Sequence, residues 1–153
     1  MSIVTFYRGD PNPPKTTMPA RLGANAIITN ADRILLERRR DSDTWGLVGG
    51  GVKKWEEPLD AIVRETYEEL GLRIPKERYQ KLAVYGEPGR IAAYRDGSIW
   101  RMVIVVFRLE LTGDIKLRIS NESKELRFFT KEEFKEINIV VTHSDIVDDW
   151  FIK

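Results

Sequence analysis

Glu65, Glu68 and Glu69 fall at positions i, i+3 and i+4 of a segment that reads as a helix, Pro58–Leu70. Successive helical residues turn by about 100°, so the three carboxylates share one face. Leu59, Val63, Thr66, Tyr67 and Leu70 fall on another, which can face a core. Like charges at this spacing repel, each pair costing roughly a few tenths of a kcal/mol. A multivalent cation turns that cost into attraction. Mg²⁺ prefers hard oxygen ligands and keeps several waters, so it would bind here jointly with a phosphate. Alone, an acidic helix face is most often simply solvated. The flanks change the reading. Gly49-Gly50-Gly51 precedes the helix and can bring bare backbone up to a ligand. Glu56 and Arg64 are near in sequence, and a guanidinium at 64 can pair with a carboxylate and orient it.

These residues need a frame. Pro58 suits a first helical turn, where a missing N–H costs nothing, and Gly71 suits the left-handed residue just past the end. Residues 22–29 and 33–37 read as strands joined by a tight turn at Asn30-Ala31-Asp32, followed by a charged loop at 38–43. Residues 79–85 form a further strand. Residues 91–94 and 98–111 form a hairpin across Asp96-Gly97. A short strand at 126–129 leads to Thr130, which caps a helix at 131–135 with Glu133 three residues on. A last helix starts at Thr142 or Ser144. Residues 3–7 are β-prone, and 9–19 hold Pro11, Pro13, Pro14 and Pro19, an irregular arm. Strands and helices mix without regular alternation, which predicts an α+β fold.

Bulk composition narrows the function classes. A chain of 153 residues suits one domain, 1–153, with 1–20 as a Pro-rich strand and arm. The net charge of +1 gives no footprint for nucleic acid or for an anionic membrane. There is no cysteine, which excludes disulfides, thiolate metal sites and cysteine nucleophiles. The start of the chain lacks the pattern of a signal peptide, and the longest apolar run, 102–107, is too short to cross a bilayer. The expectation is a cytoplasmic protein.

Gly50, five residues, Glu56, seven residues, then Arg64-Glu65-Thr66-Tyr67-Glu68-Glu69-Leu70-Gly71-Leu72 resembles the Nudix box, GX₅EX₇REUXEEXGU. Every fixed position of that pattern is filled. By composition, such a match at a given start arises by chance about once in 10⁸. Thr66 departs from a usually aliphatic position, and Val48 stands where proline is frequent; neither change removes a chemical group. The likeness continues through Ile34-Leu35-Leu36-Glu37-Arg38-Arg39, Trp45-Gly46-Leu47 and Glu122-Ser123-Lys124-Glu125-Leu126-Arg127-Phe128-Phe129, as in MutT-like and ADP-ribose pyrophosphatase-like members.

The resemblance implies a mixed β-sheet packed between helices, an α/β/α sandwich. It implies that Glu65, Glu68 and Glu69 bind Mg²⁺, or Mn²⁺, with a backbone carbonyl of Gly49 or Gly50. It gives Glu56 and Arg64 the task of holding the loop by ion pairing, and Gly71 a structural place in the motif. Glu125, or else Glu122, completes the metal site, and the general base is Glu65 with Glu125 behind it. Arg38 or Arg39 contacts a phosphate oxygen, the competing reading being a plain basic loop. The expected activity is cleavage of a diphosphate linkage in a nucleoside diphosphate derivative: ADP-ribose, a nucleotide sugar or a modified nucleoside triphosphate. The alternative is an inactive nucleotide-binding sensor of the same fold. Tyr94 and Trp100, with the hairpin 91–111 and the arm 9–19, are expected to shape the leaving-group pocket. His143 is expected at the surface or in a cap. The segment 3–7 lacks a hairpin partner, which suggests pairing across a homodimer.

Overall fold

The computed structural model describes residues 3–152. Strands β2 (Arg21–Asn30) and β8 (Ile99–Leu111) run parallel at its centre, in register from Arg21↔Met102 to Asn30↔Leu111. Around them are β1 (Val4–Tyr7), β3 (Arg33–Arg39), β4 (Trp45–Gly46), β5 (Val48–Gly51), β6 (Gln80–Tyr85), β7 (Ile91–Tyr94) and β9 (Ser123–Phe129). All other pairings between these strands are antiparallel, so the sheet is mixed. The main path runs β1-β7-β8-β2-β3-β4, while β5 pairs β2, β6 pairs β8 and β9 pairs β3. Along β2 the partner changes: Thr29 and Asn30 pair β3, whereas Gly23 to Ala26 pair β5. That split opens the sheet beside the glycine loop.

Alternation along the strands makes two cores, because successive side chains leave opposite faces. Ala24, Ala26, Ile28, Leu35, Val105, Phe107 and Leu109 meet Ala61, Ile62 and Leu70 of helix α1 (Pro58–Leu70). Ile27, Ile34, Leu36, Ile104, Val106 and Phe129 meet Phe134 of α2 (Lys131–Phe134) and Ile146 and Val147 of α3 (Val141–Ile152). The expected α/β/α sandwich is thus found. Each fully buried Ile or Leu in it contributes about 1.5–3 kcal/mol of transfer free energy.

Helix α1 has the expected bounds. Pro58 opens it, the Glu57 N–H donates to Asp60 Oδ2 at 3.3 Å, and Gly71 closes it at φ 73° with its N–H donating to Tyr67 O. Its buried face differs from the expected one. Ala61, Ile62, Glu65, Thr66, Glu69 and Leu70 are buried, while Leu59, Val63 and Tyr67 are only half-buried. The helix lays the Glu65–Glu69 edge against the sheet split, so two of its glutamates leave solvent. Thr66 is fully buried, with Oγ1 donating to Ile62 O at 2.7 Å, which removes the cost of its hydroxyl.

Segment 3–7 needs no second copy to pair it: β1 pairs β7 from Val4↔Tyr94 to Tyr7↔Ile91. The hairpin turn at Asp96-Gly97 brings β7 next to β8 and so creates the edge that β1 fills. Strand β9 starts earlier than expected, at Ser123, because its pairing to β3 extends to Arg39 across a bulge. Among the described residues no helix is long and apolar enough to cross a membrane.

Candidate active site at the glycine loop

β5, the start of β2, the end of β3 and the N-terminus of α3 enclose a cavity of about 640 Å³. Its walls include Gly49, Gly50, Gly51, Glu65, Glu69, Glu37, Arg39 and His143. The glycines are required sterically. Gly49 sits at φ 143°, and a Cβ there would lie 2.1 Å from Ala24 O. At Gly50 a Cβ would lie 2.6 Å from Glu65 Oε1, so the Glu65 carboxylate rests directly over bare backbone. The Gly49 N–H donates to Glu69 Oε2 at 3.1 Å. Glu65 and Glu69 are 8% and 3% exposed, so the acidic face is not a solvated one. Glu68, one position before Glu69, is exposed and lies outside the cavity wall.

Arg64 ties the motif together. Its Nε and Nη2 grip Glu56 at 2.7 and 2.9 Å, Nη2 also donates to Gly51 O at 3.1 Å, and Nη1 reaches Glu65 at 2.9 Å and Glu68 at 3.1 Å. A planar fork suits this, since two parallel N–H groups match one carboxylate. The guanidinium holds Glu56 down at about pKa 2. The expected loop-holding pair is therefore present. Burial acts the other way on Glu65 and raises its pKa; Glu69 is raised well above the usual range by burial, then by the charges of Glu37 and Glu65.

Strand alternation sorts the remaining expected residues. Leu35 and Glu37 leave β3 on the α1 side, and Arg39 follows them toward the cavity. Arg38 leaves on the opposite side, where it pairs with Asp43 at 3.2 Å, and it does not line the cavity. Glu125 is the register partner of Arg38 and so shares its face, away from Glu65 and Glu69. Glu125 thus does not line the cavity; Glu122, at the turn before β9, is the acidic residue of this segment that does. The bulge at Lys124 then returns Ser123 to the face of Glu37 and Arg39, where its hydroxyl meets the Glu37 carboxylate. Arg39 does line the cavity, but Asp41 holds it at two points, 2.9 and 2.6 Å. Arg21, Arg40 and Lys53 also line it and have no ion-pair partner among the described residues. Of the expected stacking residues Tyr94 lines the cavity and accepts from Arg21 at 3.1 Å, with Phe6 of β1 also in the wall. Trp100 stands beside Arg21, 5.8 Å from its guanidinium carbon, and the arm 9–19 does not line the cavity.

Three residues have a place here that sequence reading missed. Glu37 is 4% exposed, and Ser123 Oγ donates to its Oε2 at 2.6 Å. Asn25 Nδ2 donates to the carbonyls of Leu47 and Val48. His143 is buried rather than at the surface, and its Nδ1 accepts the Leu47 N–H at 3.0 Å. Burial holds its pKa down at about 3, so it is the neutral tautomer with the proton on Nε2. Asn25 and His143 thus grip the backbone just before the glycines. The only early signal was Glu37, a charged residue directly after the apolar run Ile34-Leu35-Leu36.

The donor set fits a hard divalent cation. It is all oxygen, Glu65 and Glu69 are buried, and Gly50 leaves a cradle that a Cβ would fill. Among the described residues no three acidic or histidine side chains already surround one point. Glu65 and Glu68 are engaged by Arg64 Nη1, so a cation must draw those oxygens away from it.

The NUDIX domain model matches residues 19–150. A MutT-like protein of Streptomyces ambofaciens is 30% identical over 74% of this chain and 65% of its own length. An ADP-ribose pyrophosphatase of Methanocaldococcus jannaschii is 30% identical over 84% of this chain and 72% of its own. Among solved structures, a bifunctional NMN adenylyltransferase/ADP ribose pyrophosphatase from Francisella tularensis superposes with a TM-score of 0.73 at 20% identity, over 88% of this chain and 41% of that one. This chain therefore spans about two thirds of the first relative and two fifths of the bifunctional enzyme. With the box residues gathered on one loop-helix unit and the family model matching almost the whole chain, the protein belongs to the Nudix family.

Proposed function

We propose that the chain, acting as a single unit over residues 1–153, is a divalent-metal-dependent pyrophosphohydrolase of a nucleoside diphosphate derivative. The observation that carries this is the burial of Glu65 and Glu69 at the glycine-loop cavity, where among the described residues only Arg64, already gripping Glu56, forms an ion pair with either. In this reading Glu65, Glu68 and Glu69, with a carbonyl of Gly49 or Gly50, hold Mg²⁺ or Mn²⁺. The bound cation would neutralise phosphate oxygens and acidify a water. Glu65 would accept a proton from water, a role suited to a carboxylate whose pKa burial raises. Arg64 orients Glu65 and anchors the loop through Glu56 and Gly51 O. Arg21, Arg40 and Lys53 are the wall cations available to a phosphate, because Arg39 is committed to Asp41. Tyr94 and Phe6 supply the apolar contact for the rest of the substrate.

The test is a screen of ADP-ribose, nucleotide sugars and modified nucleoside triphosphates with Mg²⁺, with Mn²⁺ and with chelator. The expected result is a nucleoside monophosphate product that chelator abolishes. Tight binding of ADP-ribose without any turnover of any substrate would favour the sensor instead.

A further inference from the structure

Glu37 is not part of the Nudix box, yet it sits in the wall of the same cavity. It comes from β3, on the side of the cavity across from α1, and alternation aims it toward that helix. More than nine tenths of it is buried. One carboxylate oxygen is held by the Ser123 hydroxyl, at 2.6 Å, and its Oε1 accepts no hydrogen bond among the described residues. The nearest guanidinium that acts on it, Arg39, is already in a two-point pair with Asp41. Glu37 also faces Glu69 closely enough to disfavour a second charge there.

A carboxylate buried this far and set against two more has its charged form disfavoured unless something positive joins them. Arg39 and Arg64 already pair with Asp41 and Glu56, and the other cations of the wall, Arg21, Arg40 and Lys53, form no ion pair with Glu37 or Glu69 among the described residues. A structural role would be met better by Gln at 37, which could still accept from Ser123 without adding charge. Sheet packing alone would be met by Leu, as at Leu35 two residues earlier on the same face.

We propose that Glu37 is a further carboxylate of the cation site, supplied from β3 opposite Glu69, with Ser123 as the residue that orients it. This rests on the metal-dependent reading of the site given above. It places oxygen donors on two walls of the cavity, so that the cation is held between sheet and helix. The ligating set then depends on β3 and β9 as well as on the box.

The test is Mn²⁺ binding to the substrate-free protein, read by electron paramagnetic resonance, together with melting temperature in chelator. Glu37→Gln is expected to weaken Mn²⁺ at least tenfold and to melt at or above the wild-type temperature when metal-free. Mn²⁺ affinity within twofold of wild type in Glu37→Gln overturns the proposal, as does a metal-free melting temperature that falls by several degrees with affinity kept. Glu37→Asp, which keeps the charge and withdraws it by one methylene, is expected to weaken Mn²⁺ severalfold; unchanged affinity there overturns it too, should the Gln variant fail to fold. Glu69→Gln separates the two readings. If it binds Mn²⁺ like wild type, the proposed metal site itself is wrong; if it loses Mn²⁺ while Glu37→Gln does not, only the role of Glu37 fails.

Discussion

The fold buries two groups of charge, one around Arg90 and one around Glu69, and they are balanced differently. Arg90 is fully buried and meets Glu87 at 2.7 Å and Asp145 at 2.5 Å, and it donates to Thr142 O. Arg8 adds a second cation, 3.6 Å from Asp145, and donates to Val141 O. Two guanidiniums thus face two carboxylates, and the knot fastens the loop before β7 to the first turn of α3. Around Glu69 the ratio is inverted. Glu37, Glu65 and Glu69 are buried, while the nearby Arg39 and Arg64 already carry Asp41 and Glu56. A balanced buried knot can be explained by the fold it holds. An unbalanced one opposes the fold, because buried like charges raise each other's free energy, and the proposed cation would supply the positive partner. Charge balance, more than burial, separates the two regions.

The largest test of this contrast is to remove one charge from each. Arg90→Met strands Asp145 and Glu87, though both are partly exposed and can recover water; a loss of about 3 kcal/mol is expected, with Mn²⁺ affinity kept within twofold. Glu69→Gln should leave metal-free stability unchanged or raised by a few tenths of a kcal/mol. Urea melts in chelator decide it, and equal destabilisation of both variants would break the distinction.

His143 lies between the two regions and gives a pH-dependent test. Its folded pKa, about 3, is below the usual 6.5, so the stability attached to its neutral form is complete above pH 6.5 and is lost as pH falls toward 3. The unfolded chain takes up the proton over that window, which is worth up to roughly 5 kcal/mol at its lower end. His143→Asn keeps an acceptor near Leu47 N–H but does not titrate there. The stability gap between wild type and variant should narrow by about 1.4 kcal/mol per pH unit below 6.5. A gap that stays constant from pH 7 to 4.5 would show that the folded histidine also protonates.

The smallest expected effect sharpens the role of sheet faces. Glu125→Gln should change turnover by less than about twofold, since its register partner Arg38 faces away from the cavity. Glu122→Gln should cost severalfold. A tenfold loss in the Glu125 variant would mean that the β9 bulge places it on the other face.

The helix Pro58–Leu70, its caps at Pro58 and Gly71, and the Glu65–Glu68–Glu69 spacing could all be read from the chain. They depend on contacts within a few residues, and a helical period leaves a trace in one dimension. The box pattern carried the Arg64–Glu56 pair as well, because the loop between them is short and both ends belong to one unit. Which face of that helix would be buried could not be read, since Ala61 and Glu65 look no more interior than Leu59 until the sheet arrives. Sequence does not choose between Arg38 and Arg39, and it puts Glu125 ahead of Glu122; the alternation of β3 and the register of β9 against it decide which of each pair lines the cavity. Glu37, Asn25 and His143 reached the glycine loop from three separate elements, with His143 bonding Leu47 from the far end of the chain. Local sequence therefore determined the chemical groups and the helix that carries most of them. Tertiary structure alone decided which carboxylates lose water together, because burial is a property of how β2, β3, β5 and α1 meet and not of any one of them.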